Sequence, residues 1–204
     1  MAWVVKSVGE LSGRNCSEPA PYSCLVMFQS IIPRTESEVS SRWQELTAEL
    51  AETDPEDALE LLIEWGKLLP PLSPTRAALP LTDDCRVKEC QTAVHLWVGV
   101  TRDGTVGGPL AGDRDERQPS APLRVELEAT VPEKSPTVRG LVALIVLGMN
   151  GMTVGEALAM PIDLLPVLKL DKVLGMQRRQ GVRGVMQRIH SEIHRQVAGA
   201  PASP

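Results

Sequence analysis

Val87-Lys88-Glu89-Cys90-Gln91-Thr92-Ala93-Val94-His95-Leu96-Trp97-Val98-Gly99-Val100-Thr101 changes character part of the way along. Up to Gln91 it is largely charged and polar. From Thr92 to Thr101 it alternates, with Thr92, Val94, Leu96, Val98 and Val100 on one side and Ala93, His95, Trp97 and Gly99 on the other. A period of two predicts a strand. Cys90 then sits at a turn directly ahead of it, where a side chain can reach out from a rigid sheet. Downstream, Leu123, Val125, Leu127 and Ala129 alternate with Arg124, Glu126 and Glu128, the pattern of a second strand with one face in water. The stretch from Arg102 to Pro122, rich in Gly and Pro and carrying Asp113, Arg114, Asp115, Glu116 and Arg117, reads as a long surface loop. Two or three antiparallel strands are expected.

Helices flank this sheet on both sides in the chain. Val39, Trp43, Leu46 and Leu50 fall at helical spacing, a short amphipathic helix. Asp54 and Pro55 suit the cap and first position of the next, whose buried face is Leu59, Leu62, Trp65 and Leu69 and which Pro70 and Pro71 end. Ser135 and Pro136 open a third, apolar on nearly all sides up to Asn150 and therefore buried. Thr153 with Glu156 predicts a capping box, and short helices are expected to continue through Leu165 and Leu174. The last helix, about 177–197, carries Val182, Val185, Met186, Ile189, Ile193 and Val197 on one stripe and basic residues on the other face. The organisation is a poorly ordered extension over 1–38, one domain over 39–197 and a disordered tail over 198–204.

Composition narrows the function classes. A net charge of −5 argues against a nucleic-acid coat, and one Tyr with one Phe leaves little for base stacking. Four cysteines at irregular spacing do not resemble a secreted disulfide framework, which favours a reducing compartment. The longest apolar run, Leu141 to Leu147, is far short of the roughly 20 residues that span a bilayer. The chain's start is a poor secretory signal, while residues 1–38 remain open as a transit peptide, a partner-binding arm or an overlong start ahead of Met27.

A thiolate is the strongest soft nucleophile available to a protein without a cofactor, so the cysteines are the candidates for chemistry. By position alone Cys90 reads as a partly buried structural thiol or as a functional one. Cys85 lies close enough to form a resolving pair with it, but no four-ligand zinc spacing exists. His190 and His194 share a helix face without a third ligand, and solvated surface is the plainer reading. Cys16 and Cys24 fall in the extension. Nucleophile-elbow, Walker and dinucleotide-glycine patterns are absent.

Four stretches, in order, carry a resemblance. Leu61-Leu62-Ile63-Glu64-Trp65-Gly66-Lys67-Leu68-Leu69-Pro70 is similar to the helix end running into Gly-Lys-x-Leu-Pro in SufE proteins. Val87 to Val94 resembles their sulfur-accepting loop, and Ser135-Pro136-Thr137-Val138-Arg139-Gly140-Leu141 the Arg/Lys-Gly-Leu start of their buried helix. Arg178 and Gly181, followed by Val182 to Ile189, match the Arg-x-x-Gly opening of the terminal helix. The chain departs from the common pattern at Glu89 and Thr92, where Gly and Ser are frequent, and at His95, which makes it a Glu-Cys-Gln subtype. Pro132-Glu133-Lys134 replaces a frequent Asp-Ser-Asp, and the loop 102–122 is longer than usual.

The resemblance implies an α+β domain of the SufE and IscU-like type, a small antiparallel sheet packed against helices. It implies that Cys90 accepts persulfide sulfur from a SufS-like cysteine desulfurase, stimulates that enzyme, and delivers the sulfur to iron-sulfur cluster assembly through a SufB-type scaffold. Pyridoxal phosphate belongs to the partner enzyme, and no cofactor or metal is expected on this chain. Glu89, Gln91, Thr92, Arg139 and Arg178 are the expected supporting residues. Glu89 should disfavour the Cys90 thiolate, and Arg86, Lys88, Arg139 or Arg178 could oppose it. The expected place is the cytoplasm, with a plastid as the alternative, and a homodimer is left open. The rival functions are a non-catalytic modulator of a desulfurase that keeps the fold, and an IscU-like scaffold that builds the cluster itself.

Overall fold

The computed structural model describes residues 36–54, 57–102 and 122–199, all within the unit Ile32–Pro204. The extension up to residue 35, the helix start at Pro55, nearly all of the expected loop 102–122 and the last residues, 200–204, lie outside the described residues. The elements are α1 (Glu36–Glu52), α2 (Asp57–Lys67), α3 (Pro74–Ala77), a 3-10 turn (Asp83–Cys85), β1 (His95–Thr101), β2 (Arg124–Thr130), α4 (Pro136–Met149), α5 (Val154–Ala159) and α6 (Met176–Gly199).

β1 and β2 pair antiparallel, with His95 opposite Thr130 and Thr101 opposite Arg124. The strand starts at His95 rather than Thr92, because the preceding residues close a loop instead. The Val87 N–H donates to the Val94 carbonyl at 2.9 Å, and Arg86 bridges His95. The alternation survives the shift: Val94, Leu96 and Val100 are buried with Val125, Leu127 and Ala129.

A two-stranded sheet has two edges whose backbone groups need partners. Each is met by an amide side chain, which offers a donor and an acceptor like a short piece of strand. On β1, Gln196 of α6 accepts from the Val100 N–H at 3.0 Å and donates to the Val98 carbonyl at 2.7 Å. On β2, Asn150 accepts from the Leu127 N–H at 2.6 Å and donates to the Leu127 carbonyl at 3.0 Å. α6 is thereby fixed against β1, and the end of α4 against β2.

α4 is buried from Gly140 to Met149, as its all-round apolar sequence demands. Ser135 occupies its N-cap but makes no side-chain cap bond; its carbonyl accepts from the Arg139 N–H at 2.9 Å. α2 and α4 form the most extensive helix contact. The reason is backbone proximity: a Cβ on Gly140 would lie 1.8 Å from the Leu62 carbonyl oxygen. Arg139 ties the same crossing, donating from Nε to the Gly66 carbonyl and from Nη1 to the Val131 carbonyl, both at 2.8 Å. The Gly-Lys and Arg-Gly motifs of the sequence therefore meet in space.

The Thr153–Glu156 capping box forms as expected. The short helices expected beyond it do not continue. Residues 161–175 run through bends and turns that still bury Leu164, Leu165, Leu168, Leu170 and Leu174. Lys169 takes a φ of 57°, which a right-handed helix cannot contain. α6 buries Val182, Val185, Met186, Ile189 and Ile193, while Val197 at the end of the expected stripe is exposed. The architecture is α+β, and no helix among the described residues is long and apolar enough to cross a membrane.

Candidate functional site

Cys90 lies at the tip of the loop closed by Val87 and Val94. Within the loop the Cys90 N–H donates to the Val87 carbonyl at 3.3 Å and the Val94 N–H to the Thr92 carbonyl at 2.8 Å. The tip is turned inward. Cys90 is 7% exposed and forms part of the apolar core.

Two spaces meet at this thiol. One is a small cavity of about 20 Å³ beneath the loop, walled by Val94, Val138, Leu141, Ile145 and Val185. The other is an open groove of about 530 Å³ that Cys90 also lines, together with Gln91, Thr92, Lys134, Met176 and Arg178. Cys90 and Arg178 border both. Cys90 therefore stands at the edge of the core, between a small apolar space and the groove that opens to the surface.

Burial pushes the Cys90 thiol above its ordinary value, because a thiolate loses its hydration there. The Thr92 backbone and then the Arg86 charge partly offset this. The push comes from burial, and Arg86 is the cation that opposes it. Burial thus disfavours the thiolate, the form in which a cysteine acts as a nucleophile.

The floor of the site is α6. A Cβ on Gly181 would lie 3.1 Å from the Cys90 Sγ, and one on Gly184 would lie 2.6 Å from the Glu89 Cβ. Arg188 donates from Nη2 to the Asp84 carbonyl and from Nη1 to the Arg86 carbonyl, at 3.4 Å for the latter. Gln91, Thr92 and Arg178 are thus gathered with Cys90 in the groove, whereas Glu89 rests on Gly184. Arg139 is placed at the α2–α4 crossing, its guanidinium donating to Gly66 and Val131, next to but not lining the two spaces. Gly184 and Arg188 were not singled out by sequence as contacts of the loop, whereas Arg86 was named among the cations that could favour the Cys90 thiolate. The spacing of Gly181, Gly184 and Arg188 on one helix face is the signal that could have found the first two.

Cys85 is a free, buried thiol that donates to the Thr82 carbonyl at 3.0 Å. His194 is exposed, but His190 is half-buried, and burial holds it below the ordinary histidine value. Among the described residues no three His, Cys, Asp or Glu side chains gather as a metal site.

A family model described as "SufE: Fe-S metabolism associated domain" matches residues 44–193. An uncharacterized SufE-like protein of Mycobacterium tuberculosis, in strains CDC 1551 / Oshkosh and ATCC 25618 / H37Rv, is 28% identical over 145 residues, 71% of this chain and 86% of the relative. The solution structure of a hypothetical protein from Thermus thermophilus superposes with a TM-score of 0.57 at 20% identity, covering 78% of this chain and 97% of that one. This last likeness concerns the fold.

Proposed function

The chain belongs to the SufE family of domains associated with Fe-S metabolism, and on that footing we propose that Cys90 is the resting place of sulfur passed on by a cysteine desulfurase. The observation that carries the reading is the position of the thiol between the small apolar cavity and the open groove. A persulfide is readily reduced by thiols or oxidised, so its carrier gains from a sheltered sulfur that can reach the surface when a partner docks.

The transfer is a thiol exchange. Cys90 loses its proton, and its thiolate attacks the terminal sulfur of the desulfurase persulfide. A sulfur–sulfur bond forms at Cys90, the one on the donor breaks, and the donor cysteine leaves as a thiolate. Sulfur and charge balance without an external oxidant. Arg86 lowers the cost of the Cys90 anion, and solvation in the opened groove removes the penalty that burial imposes. Gln91, Thr92 and Arg178, which line the groove, are proposed to meet the donor segment. A SufB-type scaffold is the proposed receiver.

Desulfurase turnover with cysteine as substrate tests the proposal. Adding the chain raises turnover, and Cys90→Ser does not. Stimulation that survives Cys90→Ser overturns the carrier role and leaves a modulator.

A further inference from the structure

We infer that Gly184 and Arg188 of α6 are positioning residues that latch the Cys90 loop shut and so set how often the acceptor thiol reaches the surface. The inference rests on the reading of Cys90 as the acceptor only for its consequence in sulfur transfer; the latch itself is a property of the isolated chain.

Residues 181, 184 and 188 lie three and four apart, which places them on one face of the helix. That face carries the loop from its base to its tip. At the base, Arg188 donates to the Asp84 and Arg86 carbonyls. At the shoulder, the missing side chain of Gly184 admits Glu89, whose Cβ would lie 2.6 Å and whose Oε2 2.9 Å from an added Cβ. At the tip, Gly181 admits the Cys90 sulfur. The loop thus lies directly on helix backbone, held at one end by a charged donor.

Beyond α6, the loop is held by the apolar packing of Val87 and Cys90 in the core. The neck is the Val87–Val94 hydrogen bond, and beyond it the tip is tied internally through Cys90 to Val87 and Val94 to Thr92. The tip can therefore swing about the neck without breaking the β1–β2 ladder, and its resting position depends on α6. The latch is built to be released. Arg188 Nε is buried without a hydrogen-bond partner, and the nearest Glu192 carboxylate oxygen stands 4.0 Å from Nη2. A bidentate ion pair would hold the arginine harder than two carbonyls do.

The steric side is equally specific. The atom a Gly184 methyl would strike first is the Glu89 Cβ, close to the loop backbone rather than at the free end of a side chain. Gly184→Ala must therefore lift the loop.

The experiment is the alkylation rate of Cys90 by iodoacetamide in the full chain alone, read by peptide mass mapping, with Cys85 as the internal reference for Gly184→Ala. Arg188→Gln and Gly184→Ala should each raise the Cys90 rate about tenfold, the shift expected from losing one charge-assisted hydrogen bond or its steric equivalent. Cys85 should keep its rate in Gly184→Ala, whereas in the Arg188 variants it lies between the two released carbonyls and its rate should rise too. Arg188→Lys, which retains charge but not the fork, should fall between. The pH midpoint of Cys90 alkylation should also move down toward the ordinary thiol value, which a merely structural loosening elsewhere would not produce. A Cys90 rate within twofold of the parent in both variants, or a parallel rise at Cys85 in Gly184→Ala, overturns the latch. No desulfurase is present in this assay. A chain that never accepts sulfur can still show the latch, and a chain without the latch can still accept sulfur.

Discussion

Gly181 meets Cys90 with no side chain between them: a Cβ on the glycine would stand 3.1 Å from the thiol sulfur. A helix backbone is a rigid wall, so this contact fixes where the sulfur rests. The Arg-x-x-Gly motif therefore has a steric meaning at its glycine.

Filling that space should dislodge the thiol. Gly181→Val is expected to raise the alkylation rate of Cys90 and to shorten the life of any persulfide formed on it in the presence of a small thiol reductant. Both are read by mass spectrometry over time. An unchanged persulfide lifetime would mean that the α6 contact does not shelter the sulfur.

The raised Cys90 thiol carries a pH signature. Burial favours the neutral form in the folded chain. Its contribution to stability is therefore complete below the unfolded value and is lost as pH climbs through the folded one. The parent should lose urea resistance relative to Cys90→Ala on passing from about pH 8 to about pH 10, the range in which an ordinary cysteine ionises. Parallel curves for the two proteins across that range would contradict the assignment.

Gly140 is the tightest point of the α2–α4 crossing. With 1.8 Å between an added Cβ and the Leu62 carbonyl oxygen, Gly140→Ala must push the two helices apart. The expected loss is about 3 kcal/mol or more in urea unfolding, at the upper end for overpacked cores. Gly155, with open space around its Cβ position, is the matched control and should change little when made Ala.

The sheet edges offer a second stability test. Gln196→Ala leaves the Val100 N–H and Val98 carbonyl without their partner, and Asn150→Ala does the same to both backbone groups of Leu127. Each is expected to cost about 1–3 kcal/mol. Amide exchange should localise the loss, with faster exchange at Val100 in the first variant and at Leu127 in the second.

What was legible in the sequence was what periodicity encodes. The two strands, the buried α4 and the Thr153 box follow from spacing and cap chemistry, and the stripe of α6 was right from Val182 to Ile193. Spacing failed where turns bury leucines as regularly as helices do, between Met160 and Met176, and where a loop closure at Val87 and Val94 shortened β1. Cys90, Gln91, Thr92 and Arg178, which line one groove, were named together through a motif. Arg139 belongs to the same motif set but serves a helix crossing, since motif membership does not say which neighbour a guanidinium faces. Gly184 and Arg188 escaped notice because a residue that supports a loop from another element leaves no local pattern beyond its helical phase.

The central claim is that Cys90 holds travelling sulfur, and peptide mass mapping after incubation with a cysteine desulfurase and cysteine tests it most directly. The account predicts a gain of one sulfur atom on the Cys90 peptide, absent from Cys90→Ser and undiminished when Cys85 is replaced by Ser. Sulfur appearing on Cys85 instead, or none on Cys90 under conditions where the desulfurase turns over, would contradict it.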